Sequence, residues 1–402
     1  MKRATRLFTV SSAMNVQLRR VQSLVYEAFG EPGKVLMPKE TSLPSPIPSG
    51  HVQVRLLASP VNPSDIKQVE GAWHILPKSF PCVAGNEGVG EVESVGDNVT
   101  TVSKGDWIVP LRVGLGTWRT QAVLNVQDIT SIPSKYRNKI SLMQAATAYV
   151  SPVTSLQIMD LYGIQSGDLI VINAPNGAVG LGIIQIAASR GIKTICIVRQ
   201  RANEQAQEEL VNALRLQGAI AVTLDTSLGL DRDADKLITA LIDSKNGIYG
   251  IDGVGGRSGQ EIYNTITRFK PSCQRSGFIS YGMMSGTPVK VAKDAPLKIQ
   301  RQGIFKKLSN SFECKPDGIA AVLEADEQAT RAATVDYAKW MEKVFELYAT
   351  KVLGEPWTEK VVAFEETGMG LTRAAKDVLG WRASSPGRAG MTNRKYVFVF
   401  KH

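Results

Sequence analysis

Residues 169–201 read LIVINAPNGAVGLGIIQIAASRGIKTICIVRQR. An apolar run, a turn of small residues, a helix-length apolar stretch and a second apolar run follow one another within the ~30 residues of a strand–helix–strand unit. Runs as apolar as Leu169–Asn173 and Thr194–Val198 suit strands buried on both faces, which calls for a parallel sheet covered by helices on either side. The turn carries Asn176, Gly177, Ala178, Val179 and Gly180. Small side chains there let backbone approach a pyrophosphate and let the first helical N–H groups point at it. Pro175 stands at the first glycine position of the GxGxxG pattern, so the fingerprint is imperfect, and a plain strand-to-helix turn is the alternative. Nineteen residues beyond Gly180 the second strand ends at Arg199, Gln200 and Arg201. An Asp or Glu at this place bonds the ribose 2′-hydroxyl of NAD, whereas two guanidiniums suit a 2′-phosphate. NADPH is therefore the expected cofactor, held by Arg199 and Arg201, with a solvated arginine pair as the alternative.

At 402 residues the chain is long enough for two domains. Its 43% hydrophobic and 21% charged residues exclude disorder. No run approaches the ~18–20 uncharged apolar residues of a membrane span. Between about residues 23 and 140, short β-rich pieces such as HVQVRLLAS, GVGEVESVG and DWIVPL alternate with Gly, Pro and Asn turn signals, which predicts an antiparallel barrel. Helical and strand-like stretches alternate over 141–305, the dinucleotide-binding unit. In 306–402 a helical stretch, ATVDYAKWMEKVFELYATKV, precedes a Gly/Ser/Arg-rich loop at 382–392 and a strand-like tail, YVFVF, predicted to return to the barrel.

The formal charge is +10, but the first 26 residues hold five basic residues and no acid, so the remainder is only modestly basic and nucleic acid is not an expected partner. That opening, MKRATRLFTVSSAMNVQLRRVQ, is Arg-rich and Ser/Thr-bearing without a continuous apolar core. It reads as a mitochondrial presequence over residues 1–22, and a disordered basic arm is the alternative. Cys82, Cys196, Cys273 and Cys314 are widely separated with no CxxC pair, so neither a disulfide framework nor a zinc knuckle is expected.

Five motifs, NPSD (62–65), GNEG (85–88), VGDNVT (95–100), GLGTWRT (114–120) and VGGRS (254–258), are together similar to the medium-chain dehydrogenase/reductase superfamily. Within it the chain resembles the zinc-free mitochondrial trans-2-enoyl-thioester reductases, over about residues 23–284. The resemblance implies a GroES-like β-barrel catalytic domain joined to a Rossmann-type doubly wound α/β parallel sheet. It further implies reduction of the α,β double bond of enoyl-CoA or enoyl-acyl-carrier-protein thioesters with NADPH, in mitochondrial fatty-acid synthesis in the matrix, by a homodimer. Alcohol dehydrogenases of the superfamily carry a Cys and a His where this chain has NPSD and GNEG. With only His51, His74 and His402 as histidines, no catalytic zinc is expected.

The resemblance also implies site residues. Asn62, Tyr281, Gly282 and Met283 fall where the family binds cofactor, and Thr117, Trp118 and Arg119 where it lines the cleft. The family's presumed proton-donating Tyr is replaced by Trp73, whose indole N–H donates a hydrogen bond but is too weak an acid to give up its proton. Tyr149 replaces a Gly and Ser151 an Asn beside the nicotinamide, while the family's GFW-like segment is unrecognisable at 311–315. Three readings follow. In the first, an active reductase uses Trp73 to polarise the thioester while water, His74 or Tyr149 supplies the proton. In the second, a catalytically silent subunit serves a mitochondrial assembly. A quinone or enone reductase is a third.

Overall fold

The computed structural model describes residues 21–73, 75–226, 229–230, 232–301, 311–314, 320–321, 327–362 and 395–400. The expected presequence up to residue 20, His74 and the expected loop 382–392 lie outside them.

Strand β1 (Val21–Tyr26) opens the barrel half and pairs with 37–41 and with 82–83. The long β2 (His51–Pro60) is its spine, with Val52, Val54, Leu56 and Ala58 buried at every second residue. That period is what a half-buried strand requires. Helix α1 (Pro63–Val69) follows, with proline in its first turn and its N-terminus closed by Asp65, whose Oδ2 accepts from Asn62 N at 2.7 Å. β3 (Val89–Val95) lies antiparallel to β2, β4 (Trp107–Pro110) to β3, and β5 (Gln121–Asn125) to the other edge of β2. Helix α2 (Ser151–Leu161) then carries the chain into the second half.

Here β6 (Leu169–Asn173), α3 (Ala178–Ser189), β7 (Lys193–Arg199), β8 (Ala221–Thr226), β9 (Gly247–Asp252), α4 (Gly256–Phe269), β10 (Arg275–Ser280) and β11 (Ile299–Arg301) build a parallel sheet. Its six parallel strands lie in the order β8-β7-β6-β9-β10-β11, the doubly wound arrangement expected from the sequence. Alternate residues of β6 serve opposite layers. Ile170 and Ile172 join a continuous core shared with the barrel, while Leu169 and Val171 join a second core with Ile195, Ile248, Ile262 and Phe278.

Helix α5 (Glu327–Ala349) packs its Tyr337, Met341, Val344, Phe345 and Tyr348 into the shared core. Strand β12 (Lys395–Val399) then lies antiparallel to β2, so the tail does rejoin the barrel sheet. The cysteine expectation is corrected. Cys82 is disulfide-bonded, whereas Cys196 and Cys273 are free, because separation along the chain does not bound separation in space.

Candidate active site

Order reversal in the parallel sheet opens a crevice between the carboxyl ends of β6 and β9, where ligands bind in doubly wound folds. The crevice is stitched by two buried side chains. Asn173, at the end of β6, donates from Nδ2 to Asp252 Oδ1 at 2.7 Å and accepts at Oδ1 from Gly253 N at 2.8 Å. Asp252, at the end of β9, also accepts from Val254 N and Gly255 N at 3.0 and 2.9 Å. The carboxylate thus ties the loop after β9 to the loop after β6, and sequence reasoning passed over both residues. Their signal was a lone polar residue at the end of each apolar run.

Ala174 takes a positive φ of 48° and the chain turns through Pro175 and Asn176 to Gly177, the N-cap of α3. No side chain caps this helix, so its first N–H groups face outward with the positive end of the helix dipole. Gly180 is obligatory. A Cβ there would fall 2.5 Å from Ala174 O and 2.7 Å from Pro175 Cα, both backbone. Asn176, Gly177, Ala178, Val179 and Gly180 therefore form one cradle of the kind that holds a pyrophosphate. Tyr281, Gly282 and Met283, in the loop after β10, lie against the loop after β9, with Tyr281 N donating to Asp252 O at 2.9 Å. Gly253 passes so near Tyr281 that a Cβ would meet its Oη at 2.4 Å, and burial, then the Asp252 charge, raise the Tyr281 phenol.

At the far end of the crevice β7 delivers Arg199 to the exposed surface and Arg201 just beyond it, half-buried. Arg201 N donates to Gln207 Oε1 at 3.0 Å, which fixes the turn. Burial, then the neighbouring Arg199 charge, lower the Arg201 guanidinium. Two cations held together at the crevice edge, with an uncapped helix end and a side-chain-free turn, fit a phosphorylated dinucleotide.

The barrel contributes a buried polar cluster. Glu87, fully buried, accepts from Asn62 Nδ2 and from Val150 N, both at 2.8 Å. Lys395 Nζ from β12 lies 3.7 Å from Glu87 Oε2 and donates to Ser151 Oγ at 3.2 Å. Next to it Asp65 accepts from Asn86 Nδ2 at 2.7 Å, and Asn86 Oδ1 accepts from Gly114 N. Burial pushes the Asp65 carboxyl up to about 6 against the opposing hydrogen bonds from Asn62 and Asn86. Asn86 and Glu87 sat inside the GNEG motif, where the sequence reading looked only for a missing histidine. Lys395 carried no local signal, since nothing in the tail says which barrel residue it meets. Among the described residues no group of three His, Cys, Asp or Glu is arranged to hold a metal.

The cleft residues inferred from resemblance lie deeper than an open wall. Thr117 Oγ1 donates to Glu87 O at 2.8 Å and lies 2.7 Å from Ser59 Oγ, Trp118 Nε1 donates to Pro60 O at 3.1 Å, and Arg119 Nη2 donates to Leu115 O at 2.8 Å. All three are buried, and the Trp118 ring meets Phe398 edge-on at 5.3 Å. They back the Glu87 cluster from behind. Trp73 is half-buried against the shared core. Tyr149 is fully buried, its ring 4.8 Å from that of Tyr337, whose Oη donates to Tyr149 O. Burial, then the Glu87 charge, raise the Tyr149 phenol well above its ordinary value. A core phenol so held is a poor source of protons for an open cleft.

Residues 48–134 match the alcohol dehydrogenase GroES-like domain. The human mitochondrial enoyl-acyl-carrier-protein reductase is 35% identical over 289 residues, covering 72% of this chain and 74% of the relative. The reductase of the same name from Arabidopsis thaliana is 33% identical over 273 residues, covering 67% and 68%. Among solved structures, the mitochondrial 2-enoyl thioester reductase Etr1p/Etr2p heterodimer from Candida tropicalis superposes with a TM-score of 0.75 at 22% identity, over 94% of this chain and 99% of that one. An Etr1p complex with NADP and crotonyl-CoA gives the same TM-score at 23% identity and the same coverage. The match in sequence and in fold shows that the chain belongs to the mitochondrial enoyl-acyl-carrier-protein reductases, oxidoreductases of the medium-chain dehydrogenase/reductase superfamily.

Proposed function

We propose that this protein is an NADPH-dependent enoyl-thioester reductase that saturates the α,β double bond of trans-2-enoyl groups carried on coenzyme A or acyl-carrier protein. It acts in mitochondrial fatty-acid synthesis, in the matrix and as a homodimer. The observation that carries this reading is the continuity of the site. Helix α2 joins the cradle to the Asn62–Glu87–Lys395 cluster: its Ser151 accepts from Lys395 Nζ at 3.2 Å, and one turn on Ser155 Oγ donates to Val179 O in the first turn of α3 at 2.8 Å.

When bound, NADPH supplies a hydride, which adds to the β-carbon, and a proton added at the α-carbon completes the saturated thioester. Asn176 to Gly180 hold the pyrophosphate through backbone N–H groups and the α3 dipole. Arg199 and Arg201 hold the 2′-phosphate. Asn62 and Ser151, fixed by Glu87 and Lys395, would orient the nicotinamide end of the cofactor. Trp73 donates its indole N–H to the thioester oxygen as negative charge develops there, a contact that strengthens toward the transition state. The indole keeps its own proton, and Tyr149 is buried in the core, so the α-carbon takes its proton from water or from His74, which lies outside the described residues.

The test is to mix the purified chain with NADPH and crotonyl-CoA and follow the nicotinamide absorbance band. Stoichiometric loss of NADPH with formation of butyryl-CoA is expected. NADPH binding without any turnover would instead support the silent-subunit reading.

A further inference from the structure

β8 lies parallel to β7 with Asp225 directly opposite Arg199. The sheet therefore places an acid one strand spacing, ~4.8 Å in the backbone, from the residue proposed to meet the 2′-phosphate. Taken alone this is the wrong charge for a phosphate and the right group for a ribose hydroxyl. Asp225 is almost wholly covered, with 6% of its side chain exposed, and its Oδ1 accepts from Arg257 Nη2 at 2.6 Å. Arg257 comes from the first turn of α4, the helix that follows β9, and 49% of its side chain remains exposed. It stands one residue beyond Gly255 and Gly256, whose positive φ values of 70° and 55° bring the loop around to the edge of the sheet. Its guanidinium thus cancels the Asp225 charge while half of it still faces solvent at the rim that Arg199 occupies.

We infer that Arg257 and Asp225 form a charge-setting pair that determines nucleotide preference at this rim. Arg257 silences an acid that would repel a 2′-phosphate and otherwise favour a free 2′-hydroxyl. The inference rests on the reading of Arg199 and Arg201 as the phosphate-holding pair and adds a third guanidinium to it. Without Arg257 the bared Asp225 carboxylate is expected to lower NADPH affinity about tenfold, the effect of one partly screened like charge ~6 Å away. NADH, which lacks the phosphate, loses nothing from that repulsion, so the preference moves toward NADH.

Calorimetry on the whole chain tests this with NADPH, NADH, 2′,5′-ADP and 5′-AMP as probes. For Arg257→Met, NADPH and 2′,5′-ADP should weaken about tenfold, while NADH and 5′-AMP stay within about twofold. The double variant Asp225→Asn/Arg257→Met removes the acid as well and should recover most of the lost NADPH affinity, which a merely structural role for the ion pair would not allow. Arg199→Ala/Arg201→Ala serves as the reference. If that reference weakens NADPH but Arg257→Met leaves all four probes unchanged, or weakens all four equally, the inference falls and the phosphate reading stands. Failure of the double variant to recover affinity also overturns it. If the reference variant leaves NADPH affinity untouched, the phosphate reading itself falls and takes the inference with it.

Discussion

Replacing Gly180 by Ala probes the cradle at its tightest point. The new Cβ would lie 2.5 Å from Ala174 O, 2.7 Å from Pro175 Cα and 2.8 Å from Pro175 C. All three are backbone atoms, so no side chain can swing away. Restoring ordinary contact near 3.4 Å requires the turn or the start of α3 to move by about 0.6–0.9 Å. Overpacking of this kind costs ~1–3 kcal/mol. Taking ~2 kcal/mol, the melting temperature falls by about 4–8 °C for a domain of this size. A turn displaced by most of an ångström also withdraws the helix N–H groups from the pyrophosphate, so NADPH binding weakens by roughly another tenfold or more, ~1.4 kcal/mol. Gly177→Ala is the internal control, because its Cβ would meet only Ala174 O, at 3.3 Å. Calorimetric NADPH titration and thermal melts of both variants are the assay. The reasoning is refuted if Gly180→Ala binds NADPH within about twofold of the parent, or if Gly177→Ala proves the more damaging of the two.

Changing Arg199 and Arg201 together to Ala should weaken NADPH by ~10–100-fold and leave NADH nearly unaffected, a range set by ~1.5–3 kcal/mol per charged hydrogen bond and discounted because Arg199 is exposed. Trp73→Tyr restores an acidic donor, and steady-state turnover of crotonyl-CoA should rise, by up to the ~10²–10⁴ of a positioned general acid; a fall would mean that the indole is itself adapted to the reaction. Asp65 supplies a pH test. Its folded carboxyl titrates near 6, above the ordinary ~3.9, so its contribution is complete below about pH 4 and is lost as pH rises through 6. The melting temperature of Asp65→Asn should lack that decline between pH 4 and 7, and a curve parallel to the parent's would contradict the assignment. Protein isolated from mitochondria should begin between Phe8 and Val21 by N-terminal sequencing, and a fusion lacking residues 1–20 should fail to enter the organelle.

The doubly wound half was legible because its signals are local. β6 announces itself by five consecutive apolar or buried positions, and the turn to α3 by the spacing of Gly177 and Gly180. Counting along the same unit puts Arg199 and Arg201 at the end of the second strand, where the structure has them. The polar cluster is different in kind. Asn62 and Glu87 meet through the pairing of β2 with β3, and Lys395 joins them only because β12 lies beside β2, a pairing that no window of sequence contains. Tyr149 shows the opposite error. Its position in a functional stretch suggested chemistry, but the ring turns into the core against Tyr337, a residue some 190 positions later. Trp118 and Arg119 likewise serve the scaffold behind the site, which resemblance to a motif does not distinguish from its surface.

The pairing of β12 with β2 also sets an order of events. Val397 to Val399 bond to a strand more than three hundred residues earlier, so the Ala58–Pro60 end of β2 lacks a partner on one side until the tail arrives. The parallel sheet needs nothing from that tail, since β6 to β11 all lie between residues 169 and 301. During synthesis, or during passage through a narrow pore with the amino end leading, the middle of the chain can therefore condense first while the Ala58–Pro60 end of β2 waits unpaired on one side. Bringing such distant segments together is slow in comparison with local contacts, and exposed strand edges in the interval invite association with other chains. The arrival of Lys395 at Glu87 and Ser151 marks the moment when that end of the barrel closes.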